Sequence, residues 1–189
     1  GGKLLLEESK VQVDADSAVE HLADARDTFL EYLDRDPLAF TSQLNIGLTE
    51  AELINLGDGE LRNDLIARSI KLADSMATYP MVQAFAAERV LIAGQLELGL
   101  ELADRAIAME GATSSQPLAW FMRGNALGDL GDTEAALEAF MTALDREPEG
   151  LIAPSIHRNM ALAYDSIGDT DLASQHRALA KETEAAQAN

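Results

Sequence analysis

Glycines at positions 57, 94, 131 and 168 follow one another at steps of 37 residues. Pro80, Pro117 and Pro154 keep the same step, each 14 residues ahead of one of those glycines. Two residue types sharing one long period mark an internal repeat, in which each unit cannot bury its apolar face alone and must stack on its neighbours. The chemistry of the two types says what the unit is. Proline is tolerated in the first turn of a helix, where its missing N–H has no intrahelical partner, and glycine accepts the left-handed backbone that closes a helix. Each Pro-to-Gly stretch is therefore expected to be a helix. After the turn, Ala136, Phe140, Ala143 and Leu144 continue at helical spacing. The unit is helix, turn, helix, and the fold class is all-α.

The turns carry their own signals. Leu56-Gly57-Asp58, Leu130-Gly131-Asp132 and Ile167-Gly168-Asp169 place a glycine beside an aspartate able to cap the next helix, and Ala93-Gly94-Gln95 is the weaker copy. Pro37 and Pro148 follow Asp36 and Glu147 at the ends of apolar helical runs, where a helix should stop.

Trp120-x-x-Arg123-Gly124-x-x-Leu127, then Ala136-x-x-x-Phe140 and a closing Pro148, resembles the signature of the tetratricopeptide repeat family, with arginine where leucine is usual. The unit from Pro154 is similar to it through Met160, Ala161, Tyr164, Gly168, Ala173 and Ala180, with Arg177 in an apolar place. The unit from Pro80 matches through Ala86, Ala87, Val90, Gly94, Gly99, Ala103 and Ala106, with Gly111 replacing the closing proline. The segment from Gln43 to Tyr79 keeps Leu53, Gly57 and Ile70 but has Glu50 and Arg62 at close-contact positions, so it is a degenerate copy. The resemblance covers about 150 residues and implies a right-handed superhelical array. The family's period is about 34 residues, so longer helices or links are expected here.

The expected organisation is an N-terminal arm at residues 1–13, a capping helix at 14–42, the degenerate repeat at 43–79, repeats at 80–116 and 117–153, and a repeat with a C-terminal capping helix at 154–189. In the first cap, Val19, Leu22, Ala25, Phe29, Tyr32 and Leu33 form one side, and Ser17 with Glu20 has the spacing of a capping box. In the last helix, Gln175, His176, Arg177, Lys181, Glu182 and Glu184 form a polar outer side, as a solvating end requires. The arm, Lys3 to Val13, carries Leu4, Leu5, Leu6, Val11 and Val13 and is free to pack back, extend or stay disordered. Gly1-Gly2-Lys3, without an initiator methionine or a long apolar run, has the look of a piece excised from a larger parent.

Composition narrows the function. Fourteen basic against 33 acidic residues give a formal charge of -19, which repels nucleic-acid phosphate and anionic membrane surfaces. The absence of cysteine removes disulfides, thiolate zinc sites and thiol nucleophiles. His21, His157 and His176 do not form the H-x-x-x-H pair that holds a metal; His157 and His176 are free to meet in space but are expected at the surface. No P-loop is present, and Asp14-Ala15-Asp16 lacks the glycine and glutamate of an EF-hand. Glu134, Glu138 and Asp145 lie opposite the apolar stripe of their helix and form a solvated face. No catalytic residue, metal ligand, cofactor or small-molecule substrate is inferred, and the chain is expected not to be an enzyme.

The family resemblance implies that the first helix of each unit lines a concave face. It would carry Met81, Ala84, Leu91, Leu118, Phe121, Asn125, Ser155, Arg158, Asn159 and Leu162. This mostly apolar surface suits a protein or peptide segment with apolar anchors, its backbone bonded by Asn125 and Asn159. Carboxylate capture is disfavoured, because Phe121 stands where the family's clamp has lysine. The expected function is a non-catalytic protein-interaction scaffold. The alternatives are a regulatory or assembly domain of a larger enzyme or membrane protein, its groove filled in cis by the arm, and a self-associating array. The compartment stays open, with cytoplasmic and extracytoplasmic bacterial settings both compatible.

Overall fold

The computed structural model describes residues 59–109, 117–147 and 150–187, together with Ser17, Glu20, His21, Asp24, Asp27, Thr28 and Glu31. The chain divides into two compact units, Gly1–Lys71 and Leu72–Asn189.

In the first unit the seven positions between Ser17 and Glu31 are helical and exposed, at the three- and four-residue spacing of one polar face. His21 Nδ1 donates to the Ser17 carbonyl at 2.8 Å and Thr28 Oγ1 to that of Asp24 at 2.9 Å. Ser17 is itself helical, which puts it inside the helix rather than at the expected cap. The apolar side from Val19 to Leu33, the arm from Lys3 to Val13, Gly57, Gly111, Pro37 and Pro148 lie outside the described residues. Helix α1 spans Gly59–Ser75, and Ile66, Ser69 and Ala73 are buried.

Among its described residues the second unit holds three helical hairpins: α2 (Pro80–Ile92) with α3 (Leu96–Ala108), α4 (Pro117–Asp129) with α5 (Thr133–Arg146), and α6 (Ala153–Ser166) with α7 (Thr170–Gln187). No strand occurs among the described residues. Pro80 and Pro117 open their helices and Pro154 is the second residue of α6. The turns close by one device. Gly94, Gly131 and Gly168 have φ of 80°, 92° and 82°. At each, the glycine N–H and the next residue's N–H fold back onto carbonyls of the last turn. Gln95 N reaches Val90 O at 2.9 Å, Asp132 N reaches Leu127 O at 2.9 Å, and Asp169 N reaches Tyr164 O at 2.9 Å. This is the Schellman closure, which only a residue tolerant of positive φ completes without strain. Asp132 and Asp169 then cap α5 and α7, accepting from Ala135 N at 3.2 Å and Leu172 N at 3.1 Å, while Gln95 makes no side-chain cap.

Small residues let the helices approach. A Cβ on Gly99 would strike the Leu91 side chain and one on Gly124 the Phe140 ring. Within each hairpin the two helices pack on one another, α3 packs on α4 and α5 on α6, and the first helices also touch, α2 with α4 and α4 with α6. Ala84, Ala106 and Ala119 form a buried cluster between hairpins, with Ile107 and Leu118 packed against it. Glu134, Glu138 and Asp145 do not enter the buried core, as expected of a solvated face. Trp120 is only partly buried, with the guanidinium groups of Arg123 and Arg146 at 5.7 and 5.6 Å from its ring.

Candidate functional site

A groove of about 410 Å³ opens where the first helices of all three hairpins meet. Leu91 and Ile92 of α2 form one side, and Asn159, Leu162, Ala163 and Ser166 of α6 the other. Gly124, Asn125, Gly128 and Asp129 of α4 lie between, with Thr133 and Phe140 from α5. Gly124 and Gly128 both face α5, where a Cβ on the first would strike the Phe140 ring and one on the second would touch Ala136. Across it, Asn159 Nδ2 donates to Asn125 Oδ1 at 2.7 Å, joining residues 34 positions apart. At one end the hydroxyls of Thr133 and Ser166 stand 3.4 Å apart. Leu162 is 65% exposed and Ile92 37%, although both are large apolar side chains.

Of the residues expected on the recognition face, the structure brings Leu91, Asn125, Asn159 and Leu162 together in this groove. Ala84 and Leu118 belong to the inter-hairpin cluster. Phe121 is 8% exposed, its ring 6.0 Å from that of Phe140 at a tilt of 47°, so it is a packing residue. Met81 is half-buried outside the groove lining. Arg158 is exposed but turned toward α7. It donates to Ser155 Oγ at 3.0 Å, pairs with Glu184, and lines a separate hollow of about 400 Å³ with Arg177 and Lys181. Ile92, Asp129, Thr133 and Ser166 were missed. Asp129 and Ser166 follow Asn125 and Leu162 by four residues, so a helical wheel anchored on those two residues would have found them.

Two expectations about histidine are corrected. His157 is buried and His176 turns inward rather than joining the polar outer side of α7, and their Nδ1 atoms lie 3.0 Å apart. His157 leaves water when α6 and α7 pack, and His176 does so in part. Burial pushes both below the usual histidine range, and the charge of His176 adds to this at His157. Among the described residues no group of three or more potential ligands is placed to hold a metal. Glu88 on α2 is a perturbed carboxylate that the sequence did not reveal. Burial pushes it up and the Arg89 guanidinium partly offsets that, but it does not line the groove. No helix among the described residues is long and apolar enough to cross a membrane.

The tetratricopeptide repeat family model matches residues 118–149. Among solved structures, the chain is similar to a thermophilic TPR protein of Thermus thermophilus, with 21% identity over 92% of this chain and 87% of that one and a TM-score of 0.66. It is similar to MamA 41-end from Desulfovibrio magneticus RS-1, with 18% identity over 94% and 95% and a TM-score of 0.60. A further crystal structure of MamA gives 20% identity over 96% and 95% and a TM-score of 0.57. At these identities the likeness is one of fold. No curated protein matches the sequence.

Proposed function

We propose that this chain, a tetratricopeptide-repeat protein, holds a segment of another protein in the groove between the first helices of its three described hairpins. The observation that carries the reading is the Asn125–Asn159 pair set between exposed apolar walls. The bond uses one N–H of Asn159 and one lone pair of Asn125, leaving the Asn125 amide N–H groups and the Asn159 carbonyl oxygen to meet a bound backbone. Leu162 and Ile92 supply the apolar contact that gives such a segment its affinity. Among the described residues, the charged side chain lining the groove is that of Asp129, which supports an uncharged or basic segment and gives no counterion for a terminal carboxylate. The fold is that of protein-interaction scaffolds, and the groove offers position and desolvation rather than a reacting group.

Peptides selected for binding to the intact chain test this. Leu162→Glu and Asn125→Ala are each expected to weaken the selected segments by about thirtyfold, the loss when an anchor worth about 2 kcal/mol is removed, with melting temperature nearly unchanged. Binding that survives both substitutions overturns the groove as the site.

A further inference from the structure

The last hairpin holds two titratable groups that the groove does not use. His157 and His176 meet Nδ1 to Nδ1 at 3.0 Å with ring centroids 5.2 Å apart, and Tyr164 stacks on the His176 ring at 5.3 Å. A hydrogen bond between two imidazoles through Nδ1 needs one Nδ1 protonated and the other bare. A first added proton is taken by Nε2 of the donor ring and leaves the bond intact. A second takes the remaining Nδ1 lone pair, so that two N–H donors and two positive charges face each other across the helix seam.

Among the described residues, the neighbouring carboxylates are engaged elsewhere or turned to solvent. In the hairpin itself, Arg158 is paired with Glu184 and Arg177 with Asp165, and Asp171, Lys181 and Glu182 of α7 lie outside the buried core. From α5, Glu138, Asp145 and Arg146 lie outside it too, and from α4, Arg123 is paired with Asp104 while Asp129 is exposed. The downward displacement of the two histidines comes from burial and, at His157, from its neighbour ring. Helix α6 also forms a wall of the groove through Asn159, Leu162 and Ser166, and α7 is its partner in the hairpin.

We propose that the His157–His176 contact is a proton-operated clasp, whose double protonation loosens α7 from α6 and lowers the affinity of the groove for its partner. Only the second half rests on the groove reading above. Because both rings bind protons more readily in the unfolded chain, their contribution to stability is full above the ordinary histidine value of 6.5 and is lost as pH falls below it.

Amide hydrogen exchange of the full chain at about pH 7.5 and about pH 5.5, corrected for intrinsic rates, tests the clasp without any partner. In the wild type, protection in α6 and α7 is expected to fall by about tenfold on acidification, with α4 and α5 little changed. In His176→Asn, whose Oδ1 accepts from His157 Nδ1–H in either charge state, the fall is expected to be under about threefold. An equal fall in wild type and variant, or none in the wild type, overturns the clasp. If His176→Asn does not fold, His157→Asn replaces it, and NMR titration of the wild-type ring protons decides independently, ordinary values for both rings overturning it. Peptides selected at neutral pH then report on the groove. Affinity lost at low pH in the wild type and kept in the variant supports the coupling, and constant affinity while the hairpin loosens overturns the coupling and leaves the clasp. If no peptide binds at any pH, the groove reading fails and the exchange result alone decides the clasp.

Discussion

The α4–α5 and α6–α7 hairpins share their turn and differ in their seam. Both close through a positive-φ glycine and an aspartate cap. Between α4 and α5, however, the buried aromatic contact is carbon on carbon, with Phe140 filling the space that Gly124 leaves and Phe121 beside it. Between α6 and α7 the corresponding stretch holds two histidines, and ion pairs Arg158–Glu184 and Arg177–Asp165 border it. The same frame thus supports a seam indifferent to pH and one that is not. Turn chemistry and seam chemistry are separable, because the turn is satisfied by atoms within about six residues of one another while the seam depends on what two helices bring face to face.

That separation breaks most sharply at the aromatic pair. Phe140→Ala is expected to cost about 3 to 5 kcal/mol in urea denaturation, since the site is lined by two helices that cannot collapse into the space. Phe121→Ala falls in the same range, which would mark Phe121 as core and not as a recognition residue. The matching cut in the last hairpin, His157→Ala measured above neutral pH, is expected to cost less, about 1 to 2 kcal/mol, because it removes a hydrogen bond from a half-buried partner. Equal losses from Phe140→Ala and His157→Ala would show that the two seams are energetically alike after all.

The turns should not distinguish the hairpins. Gly131→Ala and Gly168→Ala are each expected to cost about 1 to 2 kcal/mol, the penalty of a left-handed backbone for a residue with a Cβ. The space around both glycines is open, so sterics with neighbours add nothing. A cost at one site much above the other would mean that the turn and the seam are coupled.

The smallest effect sharpens the contrast with the first hairpin, whose turn lacks a side-chain cap at Gln95. Gln95→Asp is expected to raise stability and Asp132→Ala to lower it, each by about 1 kcal/mol in thermal unfolding. No gain from Gln95→Asp would show that α3 begins in a geometry its neighbours do not share.

The local grammar was legible in the sequence. Helix starts at Pro80 and Pro117, the glycine closures and the aspartate caps, including the weaker copy at Gln95, each depend on backbone rules that act within one or two turns. The close approach at Gly124 was legible through its family resemblance. Phe121 was misplaced because a first helix in such an array touches both its own partner and its neighbours. More than half of its circumference is therefore covered, and one wheel position decides between core and surface.

By itself, then, the sequence determined that the chain is all-α, where its hairpins turn and what caps them, since those outcomes are set by residues close along the chain. Only the tertiary structure decided which side chains meet across it. Asn125 and Asn159 are separated by 34 positions and His157 and His176 by 19. Whether either pair touches depends on the rotation of each helix about its axis and the distance at which it packs. Those are properties of the assembled core, set by summed contacts such as Gly124 against Phe140, and no spacing along the chain encodes them singly.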